Sequence, residues 1–273
     1  MKKKICILLS LFLISVNLFS KEKVNFNFVL ETFLDLRVQL TGYEDRNKAS
    51  DYLHSYWSDF WQKNELDSDS DQEKIILDNL FILEEYNYMW DNKANDDYFV
   101  SGFQKQIDIS ESYIAGHSSV SSWLFSTTAD LFSCIMTYNP VSGTIKYGLK
   151  IKEYYEKALN LDSKDAYALT HYAQWFYWAP AVSGGGKNKA LKTLETALEI
   201  SKKPCDVFYA EMFISQVLFD MKKYEESSVH LNNALKVYPE SYYIKFLAEI
   251  NKQGYSMFVY NRKMSDSKNN IKQ

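Results

Sequence analysis

A short motif comes round three times in the second half of this chain. Tyr155-Glu156-Lys157-Ala158-Leu159 returns as Leu194-Glu195-Thr196-Ala197-Leu198, and again as Leu231-Asn232-Asn233-Ala234-Leu235. The alanines stand roughly 38 residues apart, a period that belongs to stacked repeat architectures. In each copy a bulky residue (Tyr155, Leu194, Leu231) precedes the small alanine by three positions, so both lie on one side of a helix. The alanine lets a neighbouring helix come close and the bulky residue fills the space beside it. A second stripe precedes each copy: Ala129, Phe132, Ser133 and Met136; then Leu169, Tyr172, Ala173 and Phe176; then Glu211, Ile214, Ser215 and Leu218. Each copy therefore reads as a helix–turn–helix unit. One such unit cannot bury its own apolar face, so the units must stack.

Helical spacing runs through the rest of the chain as well. The periodicity predicts helices over 24–40, 44–63 and 71–91, with Gly42 and the run Asp67-Ser68-Asp69-Ser70-Asp71 as breaks. Helical spacing then continues to about Met136, interrupted near Gly116. Glycine and proline are scarce, at 9 and 4, and period-two alternation between turn signals is hard to find. The expected class is all-α: a helix-turn-helix repeat solenoid over 116–256, preceded by an N-terminal helical region over 21–115. Residues 257–273 are polar and basic without helical periodicity, and read as a disordered tail.

Residues 1–20 read as a leader. Lys2-Lys3-Lys4 gives a positive start, the stretch from Ile5 to Val16 is apolar, and the chain turns polar at Lys21-Glu22-Lys23. That pattern is a cleavable export signal, placing the mature chain in a periplasmic or secreted setting. Cys6 lies against the lysines and no cysteine stands at the cut, so the expectation is an unlipidated protein with no transmembrane segment after cleavage. The net charge of −4 with signs interspersed gives no basic patch for nucleic acid. Cys134 and Cys205 fall on separate helices and read as buried thiols.

Catalytic and metal chemistry lack a constellation. His54, His117, His171 and His230 show no ligand spacing on a common helical face. Ser183-Gly184-Gly185-Gly186-Lys187-Asn188 follows a helix and lacks the first glycine and the final hydroxyl of a phosphate-binding loop. Gly116-His117-Ser118 places neighbours that do not face one another in a helix. The expectation is no enzyme, no catalytic residues, no cofactor and no metal.

The stacked units resemble the tetratricopeptide repeat, a unit of about 34 residues with a small–large–small signature closing on Ala and Pro. The third unit carries the resemblance best, with Tyr224 at the turn, Ala234 in the second helix and Pro239 just past its end. The first two units depart from it by about five further residues, which read as lying in the turn between their helices. The paired segments Asn139-Pro140-Val141-Ser142-Gly143 and Ala179-Pro180-Ala181-Val182-Ser183-Gly184 mark those turns. The resemblance implies that the first helix of each unit builds a concave inner face. On that face fall Thr127, Asp130, Cys134, Thr137 and Tyr138, then Tyr167, Thr170, His171, Gln174, Tyr177 and Trp178, then Tyr209, Met212, Gln216, Phe219 and Asp220. Tyr167, Thr170, His171, Gln174, Tyr177, Trp178, Tyr209, Met212, Gln216 and Phe219 form the expected binding groove, aromatic with amide hydrogen-bonders.

Trp178-Ala179-Pro180-Ala181-Val182-Ser183-Gly184-Gly185, followed by Lys189-Ala190-Leu191, is similar to a loop of the T component of tripartite ATP-independent periplasmic (TRAP) transporters. Members of that family are helical repeat proteins that partner a solute-binding protein, often as lipoproteins; this chain lacks the lipid-attachment cysteine. The resemblance implies an exported binding or adaptor protein with a protein partner such as that solute-binding subunit. A small apolar or amphipathic ligand between the N-terminal helices and the repeats is the alternative.

Overall fold

The computed structural model describes residues 21–270, and the leader read over 1–20 lies outside them. The described chain is all-α: twelve α-helices and one two-stranded parallel ribbon, β1 (Glu22–Val24) on β2 (Asn64–Leu66). Sequence periodicity finds the N-terminal helices within a few residues: α1 Phe26–Leu40, α2 Arg46–Lys63, α3 Asp71–Met89 and α4 Asp96–Gly116. Side chains fix where several begin. Asn25 accepts the Phe28 N–H at 3.0 Å to open α1, and Asp45 accepts the Asn47 N–H at 2.9 Å to open α2. Each satisfies a backbone donor that the first helical turn leaves unpaired.

Three helix pairs follow. α5 (Ser122–Met136) packs on α6 (Pro140–Leu161), α7 (Ala166–Trp178) on α8 (Lys187–Ile200), and α9 (Pro204–Asp220) on α10 (Tyr224–Val237). The first helices also touch in order, α5 on α7 and α7 on α9. The three motif alanines, Ala158, Ala197 and Ala234, are each 0% exposed, and Tyr155, Leu194 and Leu231 are buried beside them. Ala197→Leu will overpack the middle pair at a cost of about 1–3 kcal/mol. Differential scanning calorimetry should show a midpoint lowered by several degrees; an unchanged midpoint would mean the register is wrong.

The two segments bearing Val-Ser-Gly differ. The second is a short 3₁₀ turn, Ala181–Ser183, closed by Gly184 at φ +86°. The first does not form a turn: Val141, Ser142 and Gly143 lie inside α6, which begins at Pro140. A side chain on Gly143 would meet the Met136 Cα at 2.9 Å, so the glycine lets α6 begin close against the end of α5. The surplus residues of the first unit lengthen a helix and not a turn.

The chain closes on itself. α11 (Tyr242–Lys252) returns to the end of α1, where the Tyr243 N–H donates to Thr41 O at 2.9 Å and Thr41 Oγ1 to Ser241 Oγ at 2.9 Å. Residues 257–270, read from sequence as part of a disordered tail, form α12 (Met257–Asn270). Met257 and Phe258 are buried, and the ammonium of Lys268 reaches Trp90 O and Asp96 Oδ1, both at 2.7 Å. The tail contains a local apolar pair and a cation that tertiary contacts recruit, which helical periodicity does not register. Among the described residues no helix is long and apolar enough to cross a membrane.

Candidate functional site

The residues expected to line a groove come together on α7 and α9, but the chain's own helices cover much of that face. At one edge α1 lays the Arg37 guanidinium over the Tyr209 ring at 4.8 Å and within 5.6 Å of the Tyr167 ring. Arg37 Nε donates to Glu84 Oε2 of α3 at 2.8 Å, and Asn87 Nδ2 donates to the same oxygen at 3.0 Å. The paired side chains are 9% and 2% exposed. Arg37 sits among Leu36, Val38 and other core residues of α1 because this pairing and the two aromatic faces replace its water.

Beside it lies a second polar cluster. The Asp130 carboxylate of α5 accepts the Tyr167 hydroxyl at 2.7 Å and the Tyr155 hydroxyl, with His171 Nδ1 at 2.8 Å. The His171 ring stacks on Tyr167, centroids 4.0 Å apart. Burial, and then the Asp130 charge, pushes both phenols well above the usual tyrosine range. These tyrosines are neutral donors that fix the carboxylate, and the cluster joins α5, α6 and α7.

Four of the expected groove residues are therefore not open lining. Tyr167, Thr170 and Met212 are buried, and Gln216 is 0% exposed. From sequence, glutamine at this position has no core purpose; the structure gives it one. Gln216 Oε1 accepts the Met257 N–H at 2.8 Å, pairing a free donor of α12's first turn. Tyr177 is held from two sides: its hydroxyl donates to the Asp220 carboxylate and its ring stacks on Phe258 with centroids 3.9 Å apart. Tyr209 is half-buried under Arg37, and Phe219 packs its edge against Tyr224 at 5.0 Å. What stays in reach of solvent is a narrow strip along α7, with His171 and Gln174 half-buried and Trp178 at 51% exposure. These three recur at three- and four-residue steps, so they share one helix face.

Sequence reasoning missed Arg37, Glu84, Phe258 and Lys268. An arginine set in the apolar stripe of α1, and the Met257-Phe258 pair in the tail, were the available signals. The space between α1 and the repeats, expected to suit a small ligand, is packed by Arg37 and the two tyrosines. Cavities of about 270 Å³ beside Asn25, Asp67 and Glu73 and about 420 Å³ beside Arg46, Tyr88 and Asp91 lie elsewhere and have polar walls. Cys134 and Cys205 are both free thiols.

Asp165 sits at the mouth of this face, opening α7. Its Oδ1 accepts the Ala168 N–H at 2.9 Å, while its Oδ2 is buried with no partner. Burial holds the carboxyl up to about 6; the Ala168 N–H pulls it down and Asp162 and Asp206 add to the rise. The folded chain therefore binds this proton more readily than the unfolded chain, and stability falls as pH rises from about 4 to about 6. Asp165→Asn keeps the cap acceptor and removes the buried charge. It should flatten that slope, while the amide donor placed at the unpartnered Oδ2 position offsets much of the charge relief at pH 7. Denaturant melts at pH 4, 5, 6 and 7 will show this, and an unaltered slope would place the titration elsewhere.

No protein-family model matches this chain, and no curated protein matches it either.

Proposed function

We propose that the chain is an exported binding or adaptor protein whose three helix pairs form a tetratricopeptide-like solenoid and whose recognition surface includes the open strip of α7. The observation that carries this reading is Trp178. Three of the four consecutive aromatics at the end of α7 are held: Phe176 in the core, Trp175 through its Nε1 on Gly148 O at 2.9 Å, and Tyr177 between Asp220 and Phe258. Trp178 alone stays half in water, with Gln174 one turn before it. A large amphipathic ring beside an amide donor and acceptor is the composition of recognition sites, where the ring supplies contact area and the amide supplies direction. The pairwise packing of α5–α6, α7–α8 and α9–α10, with three buried alanines at equivalent contacts, supports the solenoid.

The proposed partner is another exported protein. The loop from Trp178 to Leu191 makes the solute-binding subunit of a TRAP-type transporter the first candidate. The reading is of a binder and not an enzyme. The test is capture from periplasmic extract by the purified mature protein, with captured proteins identified by mass spectrometry. The Gln174→Ala/Trp178→Ala double variant should lose the captured partner while keeping the circular dichroism of the folded chain. Full capture by that variant would move the surface elsewhere. Sequencing the N-terminus of the mature chain tests export, and an intact Met1 would refute it.

A further inference from the structure

α12 lies across the inner face in the manner of a bound segment. It touches the first helices in turn. Its first turn meets α9, where Gln216 takes the Met257 N–H and the Phe213 ring lies 6.3 Å from Phe258. Phe258 then stacks on Tyr177 and stands edge-on to Trp178 at 5.9 Å, both at the end of α7. Its far end meets Tyr138 just beyond α5, with Lys268 Nζ 5.2 Å from that ring, and then Trp90 O and Asp96.

The helix is buried at its two ends, and between them Tyr260 packs on Phe246 of α11 with ring centroids 5.3 Å apart. Met257, Phe258 and Lys268 are buried, whereas Val259, Arg262, Lys263, Met264, Asp266 and Ser267 between them are exposed. One socket is aromatic, made by Tyr177, Trp178 and Phe213. The other is an ammonium socket, made by a carboxylate, a carbonyl and a phenol ring. Ten helical steps separate their occupants, or about 15 Å. The segment between is rich in Asn, Ser and Asp, weak helix formers, and a free helix of this length is marginal in water. Docking is what keeps α12 helical. Its tether is a tight turn at Gly254, φ +86°, a conformation that glycine adopts without strain, and the Lys252–Gln253 segment before it is exposed. With Arg262, Lys263 and Lys268 against one Asp266, the helix is basic, and its Lys268 pairs with the Asp96 carboxylate.

We propose that this face, from α9 and α7 to the start of α4, is a docking surface for a basic helix, and that α12 is its resident occupant, which a partner's helix of the same chemistry displaces. The proposal rests on the binding-protein reading above and specifies its partner. That partner presents a helix with an aromatic residue near its start and a lysine about three turns later, spaced to reach both sockets. While α12 is docked, only the strip ending at Trp178 is open, and a competing helix gains its first hold there.

The probe is a fluorescein-labelled synthetic peptide spanning residues 255–270, followed by anisotropy against the full chain. Phe258→Ala/Lys268→Glu in the full chain empties both sockets without altering their walls. The labelled peptide should bind that variant at least tenfold more tightly than it binds the unaltered chain, because a resident that occupies the site most of the time lowers apparent affinity by the unoccupied fraction. A peptide carrying the same two changes should not bind. Equal affinity for both proteins, or no binding to a variant that keeps its circular dichroism, overturns the proposal. Hydrogen exchange on the unaltered chain reads the same question without a variant. Amides of α12 should exchange by local opening at least a hundredfold faster than those of α9, and exchange of both at one rate overturns it. Partner capture separates this proposal from the reading it rests on. Equal capture by the unaltered chain and the socket variant sinks the displacement mechanism and spares the adaptor reading. Peptide binding with no captured partner sinks the adaptor reading and supports the socket assignment.

Discussion

Glu84→Ala will lower the stability of the folded chain by about 3–5 kcal/mol, the cost of leaving a buried charge without its partner. Arg37 cannot turn to water in response. Its guanidinium lies over the Tyr209 ring and beside the Tyr167 ring, and α1 is fixed by core residues on either side of it, Leu36 and Val38. Asn87 also loses an acceptor. Equilibrium denaturation by urea will show the loss as a lower midpoint at unchanged slope. The double variant Arg37→Met/Glu84→Leu removes both charges and should recover most of the loss, to within about 1 kcal/mol of the parent, because apolar replacements of a buried pair are tolerated. A Glu84→Ala cost below 1 kcal/mol would show that the pair is hydrated in solution.

Asp130→Ala should be comparably severe. It strips one acceptor from three donors at once: Tyr155, Tyr167 and His171. A buried donor left unpaired costs about 1–3 kcal/mol, so even with partial rearrangement the loss should reach about 3 kcal/mol. Asp130→Asn keeps one carbonyl acceptor and should cost markedly less. The near-ultraviolet circular dichroism of the tyrosines will change with the alanine variant, since two of them lose their fixed environment. If Asp130→Ala and Asp130→Asn melt together with the parent, the carboxylate is not the junction of α5, α6 and α7.

The helices were legible because their signal is local. Ala158, Ala197 and Ala234 announce close helix contacts by type and period, and all three are buried as that register demands. The class, the N-terminal helix boundaries and the pairing of helices follow from such residues. What covers α7 and α9 was not legible, because it depends on partners far along the chain. Arg37 looks like a misplaced charge until Glu84 and Tyr209 arrive from elsewhere. Gln216 looks like a free amide until the Met257 N–H meets it. Residues 257–268 look structureless because three anchors in twelve positions leave no periodic stripe. The same dependence made the groove appear open: side-chain spacing identifies which residues share a face and says nothing of what lies on that face.

The contact between Thr41 and Ser241 has a consequence for how such a chain is made. A stack of helical pairs ordinarily zips from any point and frays from its ends. Here the end of α1 waits for Ser241 and Tyr243, and the start of α4 waits for Lys268, so the closing contacts join residues far apart along the chain. Until then the N-terminal helices lack the partner that seals them, and the nascent chain stays easy to unravel.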